Sequence, residues 1–158
     1  MSKIALERAE KVAAEVIKRL SPYCMWITVA GSIRRRKSWV NDIDFVLIPQ
    51  DMWKLHHEIS GLGQIKMSGL KIMRVIAGDI QLDFYIADET TWATLLLIRT
   101  GSKEHNIRLC GLAKKKGWHL KASGDGLFDE FGERIAGDSE ESIYRALDLP
   151  YQEPWERK

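Results

Sequence analysis

The 158-residue sequence is poor in the residues that build disulfide or zinc frameworks. Its two cysteines, Cys24 and Cys110, are too few for a disulfide scaffold and lack zinc-ligand spacing. They read as reduced thiols of an intracellular protein. The four histidines, His56, His57, His105 and His119, make no metal pattern and read as surface or hydrogen-bonded side chains. Long apolar runs are missing too: the longest uncharged apolar stretch, Thr90–Ile98, is too short to span a bilayer. The N-terminus is charged from Lys3 onward, so neither a signal peptide nor a membrane anchor is expected. No repeat or low-complexity segment is visible, and a collagen-like or coiled-coil fibre is excluded.

What is present suits one globular domain with a small second lobe: 45% hydrophobic and 29% charged residues. The net charge of +2 hides a strong asymmetry. Residues 99–121 carry seven Lys/Arg against Glu104 alone, whereas residues 122–158 carry four basic and ten acidic groups. A second basic cluster is Arg34-Arg35-Arg36-Lys37. A polyanion would feel these patches rather than the average.

Apolar spacing from Ser2 to Leu20 predicts an amphipathic helix ended by Ser21-Pro22. Cys24–Ala30 reads as a buried strand and Ile43–Ile48 as a second one, with Gly31-Ser32 and a turn or short helix between them. Asp51 is a candidate N-cap for a helix to Ile59. A short strand at Gln64–Met67 precedes a hairpin of Leu70–Ala77 and Ile80–Ala87, turning at Gly78-Asp79. Thr90–Ile98 and Lys103–Lys116 are predicted helices. Short strands follow at 118–122, 127–129 and 134–135, then a helix opened by a capping box at Asp138–Glu141, and an extended tail. The composition shifts near 88–91, separating an α/β unit with a mixed sheet from a smaller α+β lobe.

Asn41-Asp42-Ile43-Asp44 opens the second strand. Side chains alternate along a strand, so Asp42 and Asp44 share one face and Ile43, Phe45 and Leu47 the other. In Ile80–Ile86 the apolar set Ile80, Leu82, Phe84 and Ile86 leaves Asp83 on the polar side. If the two strands are neighbours, three carboxylates converge. Such a group is unfavourable without cations and suits Mg²⁺, the arrangement of two-metal phosphoryl or nucleotidyl transfer. Gly31-Ser32, ahead of the basic run, lets backbone and hydroxyl approach a phosphate, and Arg35 can offset charge on a leaving pyrophosphate.

The segment Gly31–Asp44 resembles the nucleotide-binding and catalytic motif of the family X DNA polymerases. Thr100-Gly-Ser-Lys-Glu-His-Asn-Ile-Arg-Leu109 resembles the start of their thumb, and Leu127-Phe-Asp, Ile135-Ala-Gly and the segment 149–157 resemble its remainder. The resemblance implies an α+β fold: a nucleotidyltransferase-type palm with a mixed β-sheet and helices over residues 1–90, then a small α+β thumb over 91–158. It implies that Asp42, Asp44 and Asp83 bind two Mg²⁺ ions, with Mn²⁺ as the alternative, and that Asp83 helps deprotonate a primer 3′-hydroxyl. It implies that Gly31, Ser32 and Arg35 hold the triphosphate, that Gly101-Ser102 is joined by a cis peptide beneath the nucleotide sugar, and that Asn106 reaches the minor-groove edge of the base. Lys3 sits where some members place another triphosphate-binding cation.

Three departures stand out: Ile98-Arg99 where many members have Tyr-Phe against the sugar, Gln81 for an Arg beside the third aspartate, and Cys110 for an Arg on the template side. The helical region that relatives carry before the palm, with its lyase site, has no room in 158 residues, so no lyase activity is expected. Arg36, Lys37, Arg99, Arg108, Lys114, Lys115 and Lys116 are then left to contact the DNA backbone. The resulting reading is a monomeric, template-directed DNA polymerase in gap-filling repair, using gapped or primed DNA and nucleoside triphosphates and no membrane. Its rivals are a template-independent terminal or small-molecule nucleotidyltransferase and a non-catalytic DNA-binding module.

Overall fold

The computed structural model describes residues 3–158. The chain opens with a two-residue strand β1 (Ile4–Ala5) and helix α1 (Leu6–Leu20). Ala9, Ala13, Val16 and Leu20 form the buried stripe of α1, which ends where Pro22 starts a 3₁₀ turn, Ser21–Tyr23. The predicted helix therefore begins four residues late, because Ile4 pairs with Val40 of a later strand; Ser2 lies outside the described residues. Strand β2 (Cys24–Val29) leads into a single helical turn, α2 (Gly31–Arg34), then β3 (Trp39–Val40) and β4 (Ile43–Pro49). Helix α3 (Met52–Ser60) is capped as expected, the Asp51 carboxylate accepting from the Lys54 amide at 3.0 Å. A meander β5 (Gln64–Ser68), β6 (Ile72–Ala77), β7 (Ile80–Ile86) follows.

These strands make one mixed sheet in the order β2-β4-β7-β6-β5; β4 and β7 run parallel and every other pair antiparallel. One face, including Ile43, Phe45, Leu47, Leu82 and Phe84, packs under α1 and α3. The Phe45 and Phe84 rings stack at 5.0 Å directly across the β4–β7 pair. A slip of one residue there would turn this buried pair out to the opposite face and bring the neighbouring aspartates in, so the core fixes the register. The opposite face is less polar than the alternation predicts. Val46, Ile48 and Tyr85 are covered there by Leu95 and Leu96 of helix α4 (Trp92–Thr100), leaving only the aspartate end open.

Strand β2 is the main exception to the sequence reading. It is an edge strand with a single neighbour, so Met25 and Trp26 are each 49% exposed rather than buried, and Trp26 leans on Trp92 edge-on at 5.5 Å.

After α4 come helix α5 (Lys103–Lys115) and a small antiparallel sheet of β8 (His119–Lys121), β9 (Gly126–Phe128) and β10 (Arg134–Ala136). Helix α6 (Glu140–Ala146) closes a second core of Leu97, Leu109, Leu120, Leu127, Ile143 and Tyr144. Its capping box uses Ser139 and Ser142, one residue later than the Asp138–Glu141 pattern predicts, because Ser139 takes the extended N-cap conformation. The tail is not fully extended: Pro154–Glu156 forms a 3₁₀ turn and seats Arg157 at 1% exposure. No helix of the described residues is long and apolar enough to cross a membrane.

Candidate active site

Parallel pairing places Asp44 directly opposite Asp83, and Asp42 lies one pleat repeat away on the same face. The three carboxylates each bring an oxygen to within 4.8 Å of the others. Burial, then the like charges of Asp42 and Asp83, push the Asp44 pKa up to about 7, against the opposing pull of Arg99 and Arg35. Burial and Asp83 also raise that of Asp42. Ionised together, such groups call for a cation.

Asp44 also lines a cavity of about 450 Å³. Gly31, Ser32, Arg35, Gly101, Asn106 and Arg99, all singled out from sequence, line it as well. Gly31 has φ +57°, and a Cβ there would stand 2.2 Å from Asp44 Oδ2. The glycine thus serves the aspartate as well as any ligand. Arg35 donates to the Thr100 carbonyl at 3.3 Å and to Ser32 Oγ at 3.4 Å, while its buried Nε has no partner among the described residues. Burial lowers its pKa, opposed by Asp44 and Glu104. The Gly101–Ser102 peptide is cis, and Ser102 caps α5 by accepting from the His105 amide at 3.2 Å.

The proposed DNA-contacting cations do not gather in this cavity; among them only Arg99 lines it, its guanidinium 4.2 Å over the Tyr85 ring. Arg36 lies 3.6 Å over Trp155, Arg108 donates to Gln152 at 3.1 Å, and Lys116 pairs with Asp148 at 3.2 Å. Lys37, Lys114 and Lys115 are exposed, as is Lys3.

Besides Gln81, already noted next to the third aspartate, other partners escape the sequence reading. Arg74 of β6 grips Asp83 with Nε at 2.8 Å and Nη2 at 3.4 Å, and Gln81 donates to both Asp83 oxygens at 3.3 and 3.1 Å. The missing signal is in the hairpin: the turn at Gly78-Asp79 pairs Ala77 with Ile80 and hence Arg74 with Asp83. Arg34, at the end of α2, makes a two-pronged ion pair with Glu140 at 2.8 and 2.7 Å, and Arg157 bonds the same carboxylate at 2.8 Å. This triad, with Glu140 and Arg157 buried and Arg34 partly so, ties the Gly31–Arg34 turn to α6 and the tail.

Comparison with known proteins adds three findings. Residues 95–158 match the family described as DNA polymerase beta thumb. Over 154 residues, 92% of the chain, the sequence is 30% identical to the DNA polymerase/3'-5' exonuclease PolX of Bacillus subtilis (strain 168), of which it spans 27%. The fold superposes on polymerase beta of Leishmania infantum, solved as a ternary P/T complex, with a TM-score of 0.85, 19% identity, and coverage of 99% of this chain and 77% of that one.

Proposed function

Related in sequence and in fold to the family X DNA polymerases, this chain is, we propose, a template-directed DNA polymerase. It adds nucleotides to a primer 3′-end in gap-filling repair, with residues 1–90 as palm and 91–158 as thumb. The observation that carries the reading is the meeting of Asp42, Asp44 and Asp83 on one sheet face, with Asp44 shared by the cavity that Gly31, Ser32 and Arg35 also line.

The donor set is all oxygen and all anionic, which fits a hard divalent cation, Mg²⁺ or Mn²⁺, held by Asp42, Asp44 and Asp83. Two such ions, when bound, neutralise triphosphate charge and lower the pKa of a 3′-hydroxyl. The chain's own groups supply the rest. Ser32 Oγ and the Arg35 guanidinium hold the triphosphate, and the unpartnered Arg35 Nε is a donor reserved for a phosphate oxygen. Asp83, oriented by Arg74 and Gln81, takes the 3′-hydroxyl proton as the oxygen bonds to the α-phosphorus and the bond to pyrophosphate breaks. Arg35 offsets the charge on that leaving group. Gly101, Ser102 and Asn106 border the sugar and base, and Arg36, Lys37, Arg99, Arg108, Lys114, Lys115 and Lys116 meet the DNA backbone.

Primer extension on gapped DNA tests this. Incorporation should require template and stop on chelation. Asp44→Asn and Asp83→Asn should each lose at least about a hundredfold in rate while remaining folded. Undiminished turnover in either variant removes the carboxylate mechanism. Addition to single-stranded DNA without template would make the protein a terminal transferase instead.

A further inference from the structure

His105 is fully buried in the first turn of α5, between Asn106 and Tyr144 of α6. A histidine in an apolar core needs partners for both ring nitrogens, and here the partners dictate a single proton arrangement. The Asn106 amide group lies 2.8 Å from the Ile98 carbonyl oxygen. A carbonyl only accepts, so the Asn106 nitrogen must face it and donate. Asn106 Oδ1 is then the atom 3.1 Å from His105 Nδ1. An amide oxygen also only accepts, so Nδ1 must carry the hydrogen. The remaining ring nitrogen, Nε2, meets the Tyr144 hydroxyl and accepts from it. Reading the chain from the Ile98 carbonyl to Tyr144, every atom has one permitted role. Asn106 is left with a single uncommitted N–H in the wall of the cavity. Of its α5 neighbours in that wall, Ile107 and Cys110 offer no comparable donor, and Lys103 offers a flexible ammonium rather than a fixed amide.

We propose that His105 is a positioning residue: as the Nδ1–H tautomer pinned by Tyr144, it fixes the Asn106 amide so that the cavity presents an N–H donor. That N–H is the donor which the resemblance to the family already assigns to the minor-groove edge of the base, purine N3 or pyrimidine O2; what the structure adds is that His105 holds it. The inference rests on the nucleotide reading of the cavity.

Two measurements test it. Nitrogen-15 spectra of the histidine rings should show His105 protonated at Nδ1 and bare at Nε2; a bare Nδ1 overturns the proposal. Incorporation of dATP opposite thymine should be compared with that of its 3-deaza analogue, which lacks the N3 acceptor. The wild type should have a KM about three- to tenfold lower for dATP, the span of one hydrogen bond. His105→Phe, which keeps the ring but donates nothing, should raise the dATP KM to that of the analogue with kcat unchanged. His105→Asn, whose amide nitrogen stands near the position of Nδ1, should restore the preference. Equal preference in wild type and His105→Phe would overturn the role of His105 alone. Failure of the wild type to incorporate either nucleotide would overturn the nucleotide reading itself.

Discussion

A methyl group on Gly31 would collide with Asp44 Oδ2 and would sit on a left-handed backbone that side chains avoid. Gly31→Ala should therefore displace the carboxylate as well as cost about 1–2 kcal/mol of stability. Terbium luminescence titration would read the first effect as weakened binding, and thermal unfolding the second. Arg74 acts through Asp83 in a similar way. Arg74→Leu removes the shorter of the two grips on a carboxylate that is 2% exposed and leaves Gln81 to hold it alone. Extension rates should fall about tenfold or more, while the affinity for nucleotide changes little. A single-turnover assay separates the two. Asp42, Asp44, Gly31, Ser32 and Arg35 could be named from sequence because strand alternation and a strand–glycine–helix turn are local facts. Arg74 could have been named as well, by counting outward from Gly78-Asp79. His105 and Tyr144 could not, since nothing in their spacing announces that α5 and α6 meet.

At the scale of elements, the Arg34–Glu140–Arg157 triad joins α2, α6 and the tail. Glu140→Ala strands two guanidiniums, one of them in the core, and should cost about 3–5 kcal/mol, measurable by urea unfolding. Burial works against the Glu140 carboxylate, but the bonds and charges of Arg34 and Arg157 prevail and hold its pKa below the ordinary 4.5. On acidification the unfolded chain takes up this proton first. The stability contributed by Glu140 is thus whole above the ordinary value and is lost as pH falls through the folded one. Unfolding followed from pH 6 downward should show this slope in the wild type and a shallower one in Glu140→Gln. The helices α1, α3, α5 and α6 were readable from periodicity and capping. Edge position was not: Cys24–Val29 has the composition of a central strand, and only the sheet order makes Trp26 a surface residue. The tail reads as merely extended because Arg157 finds its Glu140 partner through tertiary contact alone.

For the molecule as a whole, the positive charge concentrated over residues 99–121 bears on partners rather than on folding. If about five of the named cations touch phosphates, the logarithm of DNA affinity should fall by roughly 4.5 per tenfold rise in salt, ~0.9 per contact. Replacing Lys114, Lys115 and Lys116 with alanine should flatten that slope by about 2.7 with little change in melting temperature, because the single surface ion pair of Lys116 contributes little. Fluorescence anisotropy across a salt series would decide it, and an unaltered slope would move the DNA elsewhere.

Asp44 and Asp83 face each other across β4 and β7 yet stand 39 residues apart along the chain. Everything between them, α3, β5 and β6, must be synthesised before the third acid exists. The β5–β6–β7 meander pairs residues close in sequence, whereas β4 and β7 pair across 39 residues, and closing that longer loop costs more chain entropy. A growing chain would carry two of its acids for some time as ordinary hydrated side chains. The triad comes into being only when the two halves join along the Phe45–Phe84 seam, so the carboxylate cluster and the central strand pair of the sheet arrive as a single event.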